Sequence, residues 1–223
     1  MAENSIMSHM QHWVIGLGPL SFNLDTILYS LGVSVFLLGI AFLATRRMRL
    51  VPGSLQSLVE MLVELVENMS RANIGEKGPY YMPFFATLLF YIFIANMVGL
   101  IPGLRSPTAD INVAFGLAFS VVIAMQYASI KSHGVGGWLK HFFRPNFLFF
   151  FLHLLELITR PLTLALRLFG NIFAGEMLIV ILYSLMPVVV PTLWLAFSVA
   201  IGAIQAYIFA VLSMAYTGMV VEE

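Results

Sequence analysis

Long apolar runs separated by short polar stretches dominate this chain. A bilayer crossing needs about 20 apolar residues, and residues 25–45 supply a first one, closed by Arg46, Arg47 and Arg49, a basic cluster of the kind that stays on the cytoplasmic side. Residues 80–101 predict a second crossing, opening on Tyr80 and Tyr81, and residues 112–130 a third. Between the first two lies a different pattern. In residues 54–72, Leu55, Leu58, Val59, Leu62, Leu65, Val66 and Met69 recur at helical spacing, while Glu60, Glu64, Glu67 and Arg71 take the other side. Pro52 stops the preceding element and Ser54 is placed to cap this helix. The segment is amphipathic, expected in the membrane interface or packed on other protein. Residues 131–146, with Gly134, Gly136 and Gly137, are expected to form a loop.

The last two runs, 147–186 and 188–221, flank Pro187. A helix of about 40 residues reaches ~60 Å, twice the ~30 Å hydrocarbon core, and ordinary tilt does not absorb that excess. The pattern therefore predicts an all-α membrane protein with about five membrane-embedded helices and one interfacial helix, the last two long and strongly tilted. The whole chain, 1–223, is expected to be one polytopic domain: a first span at 25–45, the interfacial helix at 54–72, a helical hairpin at 80–130 and a long tilted hairpin at 147–220.

Composition narrows the choice. Of 223 residues, 60% are hydrophobic and 10% charged, against about a quarter charged in soluble domains; the mean hydropathy is +0.94. The chain has no cysteine and no net charge, so disulfides, thiolate metal sites and a field that recruits nucleic acid are excluded. No Lys or Arg precedes Arg46, so a basic secretory n-region is lacking and the first run is expected to stay as a span. Five basic residues fall in 46–79 and three in 131–146, against none in 1–24 and one in 102–111. The N-terminus is therefore expected outside and the C-terminus in the cytoplasm.

Two basic residues lie inside the long apolar segment 147–186: Arg160 and Arg167. A charge at bilayer depth costs at least ~2.5–3.5 kcal/mol. Arg160, beside Pro161, is read as an interfacial arginine that snorkels. Arg167 sits about 20 residues from both ends of its segment and is a functional candidate, the plainer alternative being an internal pair with Glu156 or Glu176. At 100° per residue, Glu156, Thr163, Arg167 and Asn171 share a stripe, whereas Glu176 points to nearly the opposite face. Gly170, Ala174 and Gly175 thin the helix beside Arg167 for close approach of another helix. In the last segment Ser198, Gly202 and Gln205, with Ser213 or Tyr216 further on, form a polar stripe. A buried amide such as Gln205 needs a partner, either within the helix bundle or along a wet path.

The stretch Arg-Pro-Leu-Thr-Leu-Ala-Leu-Arg-Leu-Phe-Gly-Asn-Ile-Phe-Ala-Gly-Glu at 160–176 resembles the signature of F-type ATP synthase subunit a. Pro-Thr-Ala-Asp-Ile-Asn at 107–112 and Ile-Gln-Ala-Tyr-Ile-Phe at 204–209 are similar to two less specific stretches of the same family, and the likeness extends over nearly the whole chain after about residue 25. The resemblance implies that Arg167 faces a ring of rotor c subunits. It places Asn171, Glu176 and Gln205, with Asn96 and Thr108, in an outer half-channel, and Glu156, near His153 and Thr159, in an inner one. Some members carry histidine where this chain has Ser198, so a direct proton relay from Glu176 to that position is in doubt here and water has to fill the gap. It further implies peripheral-stalk b subunits as partners, the rest of the F-type ATP synthase around them, and a bacterial cell inner membrane as the location.

The implied function is ion translocation, with H⁺ the expected ion and Na⁺ the alternative, as the rotor's own binding site decides. No Gly-x-x-x-x-Gly-Lys-Ser/Thr loop is present, so ATP chemistry is expected on a partner and no cofactor here. Two rivals come from other classes. An intramembrane hydrolase would need more than His153 and Glu156, since there is no His-Glu-x-x-His. A purely structural membrane anchor would have no use for Arg167.

Overall fold

The computed structural model describes residues 14–17, 20–46, 53–101, 104–142, 147–185 and 189–222. A two-stranded antiparallel hairpin, β1 (Val14–Leu17) and β2 (Leu20–Asn23), pairs Val14 with Asn23 and Leu17 with Leu20. It is a small addition to an otherwise helical fold. Among the described residues six helices follow it: α1 (Leu24–Thr45), α2 (Ser54–Ile74), α3 (Gly78–Val98), α4 (Ile111–Phe142), α5 (Phe147–Leu185) and α6 (Val189–Glu222). Short 3₁₀ turns stand at Gly75–Lys77 and Pro107–Ala109. Among the described residues five stretches are long and apolar enough to cross a membrane, α2 and α3 counting together as one. The protein is a multi-pass membrane protein of the all-α class, the short hairpin aside.

Two local readings of the sequence change. Residues 131–142, expected as loop, are helical; α4 continues through them and breaks direction at Gly134, whose φ of 71° only glycine adopts at little cost. Ser54 does not cap α2: Gly53 occupies the N-cap position, with no side-chain cap bond. At the other end, Gly75 (φ 70°) terminates the helix.

The core lies where α3, α4, α5 and α6 meet. Phe85, Leu88 and Ile92 of α3 pack with Ala114, Ala118 and Val121 of α4, Leu164, Ala165 and Leu168 of α5, and Ala206, Phe209 and Met214 of α6. α2 joins through Val66 and Ile74, and Ser70 donates to the Gly78 carbonyl at 2.8 Å. Leu58, Met61 and Leu65 of α2 stay exposed, so its apolar stripe is only partly covered by protein. Where α6 crosses the end of α2, Gly218 is required: a Cβ there would stand 2.0 Å from the Asn73 carbonyl oxygen.

Asp110 ties the N-terminal part to this core. Asn23 Nδ2 and Thr26 Oγ1 donate to its Oδ2 at 2.7 and 3.0 Å, and the Asn112 amide nitrogen and Nδ2 donate to Oδ1 at 2.9 and 3.1 Å. Burial pushes the Asp110 carboxyl up, but these four donors outweigh it and leave the group below the usual carboxylate range. Arg105 and Asp25 add an ion pair at 3.4 Å.

Candidate functional site

α5 divides its residues sharply. Leu164, Ala165 and Leu168 are buried against the core, so residues 163, 166, 167 and 170 turn away and are exposed. Among the described residues of its span, His153–Leu185, Leu164, Ala165 and Leu168 alone are buried. Arg167 therefore stands on an uncovered, mostly apolar surface beside Leu162 and Leu166. Among the described residues it has no ion pair or hydrogen bond. The internal pair weighed from the sequence is absent because both carboxylates are engaged elsewhere. Glu156 pairs with Arg160, and Glu176 accepts from the Ser106 amide at 3.3 Å.

On the side of α5 where Glu176 lies, the structure gathers most of the expected polar residues. Asn96, Asn171, Glu176 and Ser198, with Trp194 and Gly202, line a cavity of about 160 Å³ between α3, α5 and α6. That is room for several waters. Thr108 is wired to it: its hydroxyl donates to Asn96 Oδ1 at 2.9 Å and shares a 2.6 Å bond with Ser106 Oγ. Asn96 Nδ2 donates to the Gly202 carbonyl at 3.1 Å, a close approach that leaves a Cβ at Gly202 only 3.3 Å from that of Asn96. Asn171 Nδ2 is buried without a partner among the described residues, a donor available to whatever occupies the cavity.

A second cavity of about 140 Å³ adjoins the first through Glu176 and is lined by Asp25, Thr26, Arg105, Ser106 and Asp110. The carboxylate thus stands between a charged compartment beside the start of α1 and a more apolar one between α3, α5 and α6. Sequence reasoning missed Ser106, Asp25 and Arg105 as members of this site. Their signal was faint: Arg105 is the single basic residue of 102–111, Asp25 heads the first span, and Ser106 adjoins the Pro-Thr-Ala-Asp stretch.

The remaining candidates do not join these cavities. Gln205 is buried on α6, one turn beyond Gly202, its Nε2 without a partner among the described residues. Glu156 is exposed, with His153 half-buried one turn earlier, and lies 20 residues, roughly 30 Å, along α5 from Glu176, with Arg167 between them. Thr159, also exposed, keeps its hydroxyl on the Glu156 carbonyl at 3.5 Å. The Arg160 side chain is 21% exposed and pairs with Glu156, with the centre of the Tyr216 ring 5.2 Å from its Cζ.

The sequence model of the ATP synthase A chain family matches residues 27–218. "ATP synthase subunit a" of Desulforamulus reducens is 45% identical over 174 residues, 74% of this chain and 66% of that protein. "ATP synthase subunit a 3" of Pelobacter propionicus is 37% identical over 203 residues, 89% of this chain and 88% of its own length. "ATP synthase subunit a" of Moorella thermoacetica is 34% identical over 203 residues, covering 91% and 93%.

Proposed function

The chain belongs to the ATP synthase A chain family, and on that footing we propose that it carries ions, with the proton as the expected one, through the membrane sector of a rotary ATP synthase. In this reading the two cavities that meet at Glu176 form the outer half-channel, Glu156 stands on the inner one, and Arg167 faces the rotor carboxylates between them. The N-terminus lies outside and the C-terminus in the cytoplasm, with α2 at the inner interface. The rotor c ring covers the open face of α5, and peripheral-stalk b subunits are further partners. Nucleotide chemistry belongs to other subunits.

The observation that carries the proposal is the setting of Arg167: a charge at the middle of an apolar, uncovered helix face, with no partner among the described residues. Such a charge at bilayer depth is costly unless a partner comes from outside the chain. A rotor carboxylate supplies one. In lipid that carboxylate is tolerable only when neutral; beside Arg167 its charged form is favoured and it releases its proton. Arginine stays protonated throughout, since its pKa exceeds ~12, so it cannot hand the proton across and short-circuit the two half-channels. Each proton crossing 100 mV contributes roughly 2.3 kcal/mol, and the offset of the channels turns that into rotation. A purely structural anchor remains the rival, and Arg167 is the feature it leaves unexplained.

Disulfide cross-linking tests the arrangement. Cysteines at 163 and 170, which flank Arg167 on the exposed stripe, should cross-link to cysteines on the rotor helix near its carboxylate, and a cysteine at buried 165 should not. Cross-links from 165 but none from 163 or 170 would overturn the rotor-facing assignment.

A further inference from the structure

Arg160 is held by three helices. Its Nη2 donates to Glu156 Oε2 one turn earlier on α5, its Nη1 lies 3.8 Å from Met125 Sδ of α4, and its Cζ stands 5.2 Å from the centre of the Tyr216 ring of α6. The two charged side chains differ in exposure: 21% for Arg160 and 52% for Glu156. The guanidinium is thus fixed from behind and the carboxylate presented in front. A planar guanidinium does this well, since its edge donates while its face stacks on an aromatic ring.

We propose that Arg160 is a positioning residue for ion transport: anchored on Tyr216 and Met125, it holds the Glu156 carboxylate at a set place on the exposed stripe of α5, three turns from Arg167. The inference rests on the proposed place of Glu156 on the inner ion path. Two plainer roles compete with it. An ordinary i,i+4 surface pair contributes little and needs no third helix. A pair that merely neutralises charge for membrane insertion is satisfied once both charges are removed.

The experiment measures ATP-driven ion pumping in vesicles carrying the whole complex, normalised to assembled complex. The variants are Glu156→Gln, Arg160→Gln, Arg160→Lys, the double Glu156→Gln/Arg160→Gln, and Tyr216→Leu with Tyr216→Phe. Glu156→Gln and Arg160→Gln should each lower pumping several-fold. The double variant should be no worse than Glu156→Gln alone, Arg160→Lys should recover part of the loss, and Tyr216→Phe should keep more activity than Tyr216→Leu. Normal pumping by Glu156→Gln would remove the inner-path reading and the proposal with it. Impaired Glu156→Gln beside normal Arg160→Gln would remove the positioning role alone. Recovery of full pumping in the double variant would mean that the pair only balances charge. Should Arg160→Gln fail to assemble, the Tyr216 variants decide: equal pumping by Leu and Phe contradicts anchoring through the ring.

Discussion

Arg160 and Arg167 stand two turns apart on α5 and meet opposite surroundings. Arg160 is enclosed by Glu156, Met125 and Tyr216, whereas Arg167 projects from an apolar face with no partner among the described residues. One chain thus contains an arginine whose charge is answered internally and another whose charge is not. On the proposed function, that second charge is the one answered by the rotor.

The Asp110 cluster makes a stability prediction. Asp110→Ala removes acceptors for Asn23, Thr26 and Asn112, and it should cost about 1–3 kcal/mol of local stability, read as faster proteolysis in the segment around 14–26. The pH sign comes from the depressed carboxyl. Its contribution is fully present above the ordinary carboxylate range, near pH 4, and is lost as pH falls through the lower folded value. Asp110→Asn should flatten that acid dependence. An unchanged acid profile in Asp110→Asn would show that other groups control it.

Gly218 tests the packing of α6 on α2. Gly218→Ala sets a methyl against the Asn73 carbonyl, and backbone on backbone cannot yield as a flexible side chain does. The amount of subunit assembled in membranes should fall sharply. Gly39→Ala, with nothing within 4 Å of the new Cβ, should leave assembly unchanged. Quantitative immunoblotting of the two variants checks this, and equal assembly would contradict the observed crossing.

Access from the two sides tests the separation of the carboxylates. Thiol reagents should reach a cysteine at 176 from the outer side and one at 156 from the inner side, because about 30 Å of helix separates them. Reaction of both positions from one side only would contradict two half-channels.

Gln205 and Glu176 should differ in weight. Glu176 joins both cavities, so Glu176→Gln should reduce ion flux severely. Gln205 lines neither cavity, and a water replaces an amide at small cost along a wet path. Gln205→Ala should therefore be the milder variant in the same vesicle pumping assay, and the reverse order would misplace the path.

Much of this was visible in the sequence, for physical reasons that also mark where visibility ends. Apolar runs and breakers are local signals. Pro187 separates the segments that become α5 and α6, and the deep position of Arg167 can be counted from either end of its run. The 100° rule already turned Glu176 away from Arg167. What the sequence concealed depends on pairs distant along the chain. Arg105 meets Asp25 across 80 positions and Asn96 meets Gly202 across 106, and no periodicity encodes either. The contact of Tyr216 with Arg160 is of the same kind. Residues 135–142 were hidden by their glycines, which resemble a loop in composition yet leave the helix to resume after a single positive φ.

Arg167 offers the most direct measurement. Vesicles carrying the complete synthase with Arg167→Ala are given an imposed ion gradient, and ATP synthesis and passive ion leak are monitored together, with assembly verified by subunit content. Loss of the fixed charge leaves a rotor carboxylate no reason to ionise and removes the barrier between the half-channels. The expected result is an assembled complex with ATP synthesis at background and an increased leak, and Arg167→Lys badly impaired, since a compact, strongly hydrated ammonium does not replace the guanidinium. Ordinary ATP synthesis by the Arg167→Ala complex would contradict the central role given to this residue.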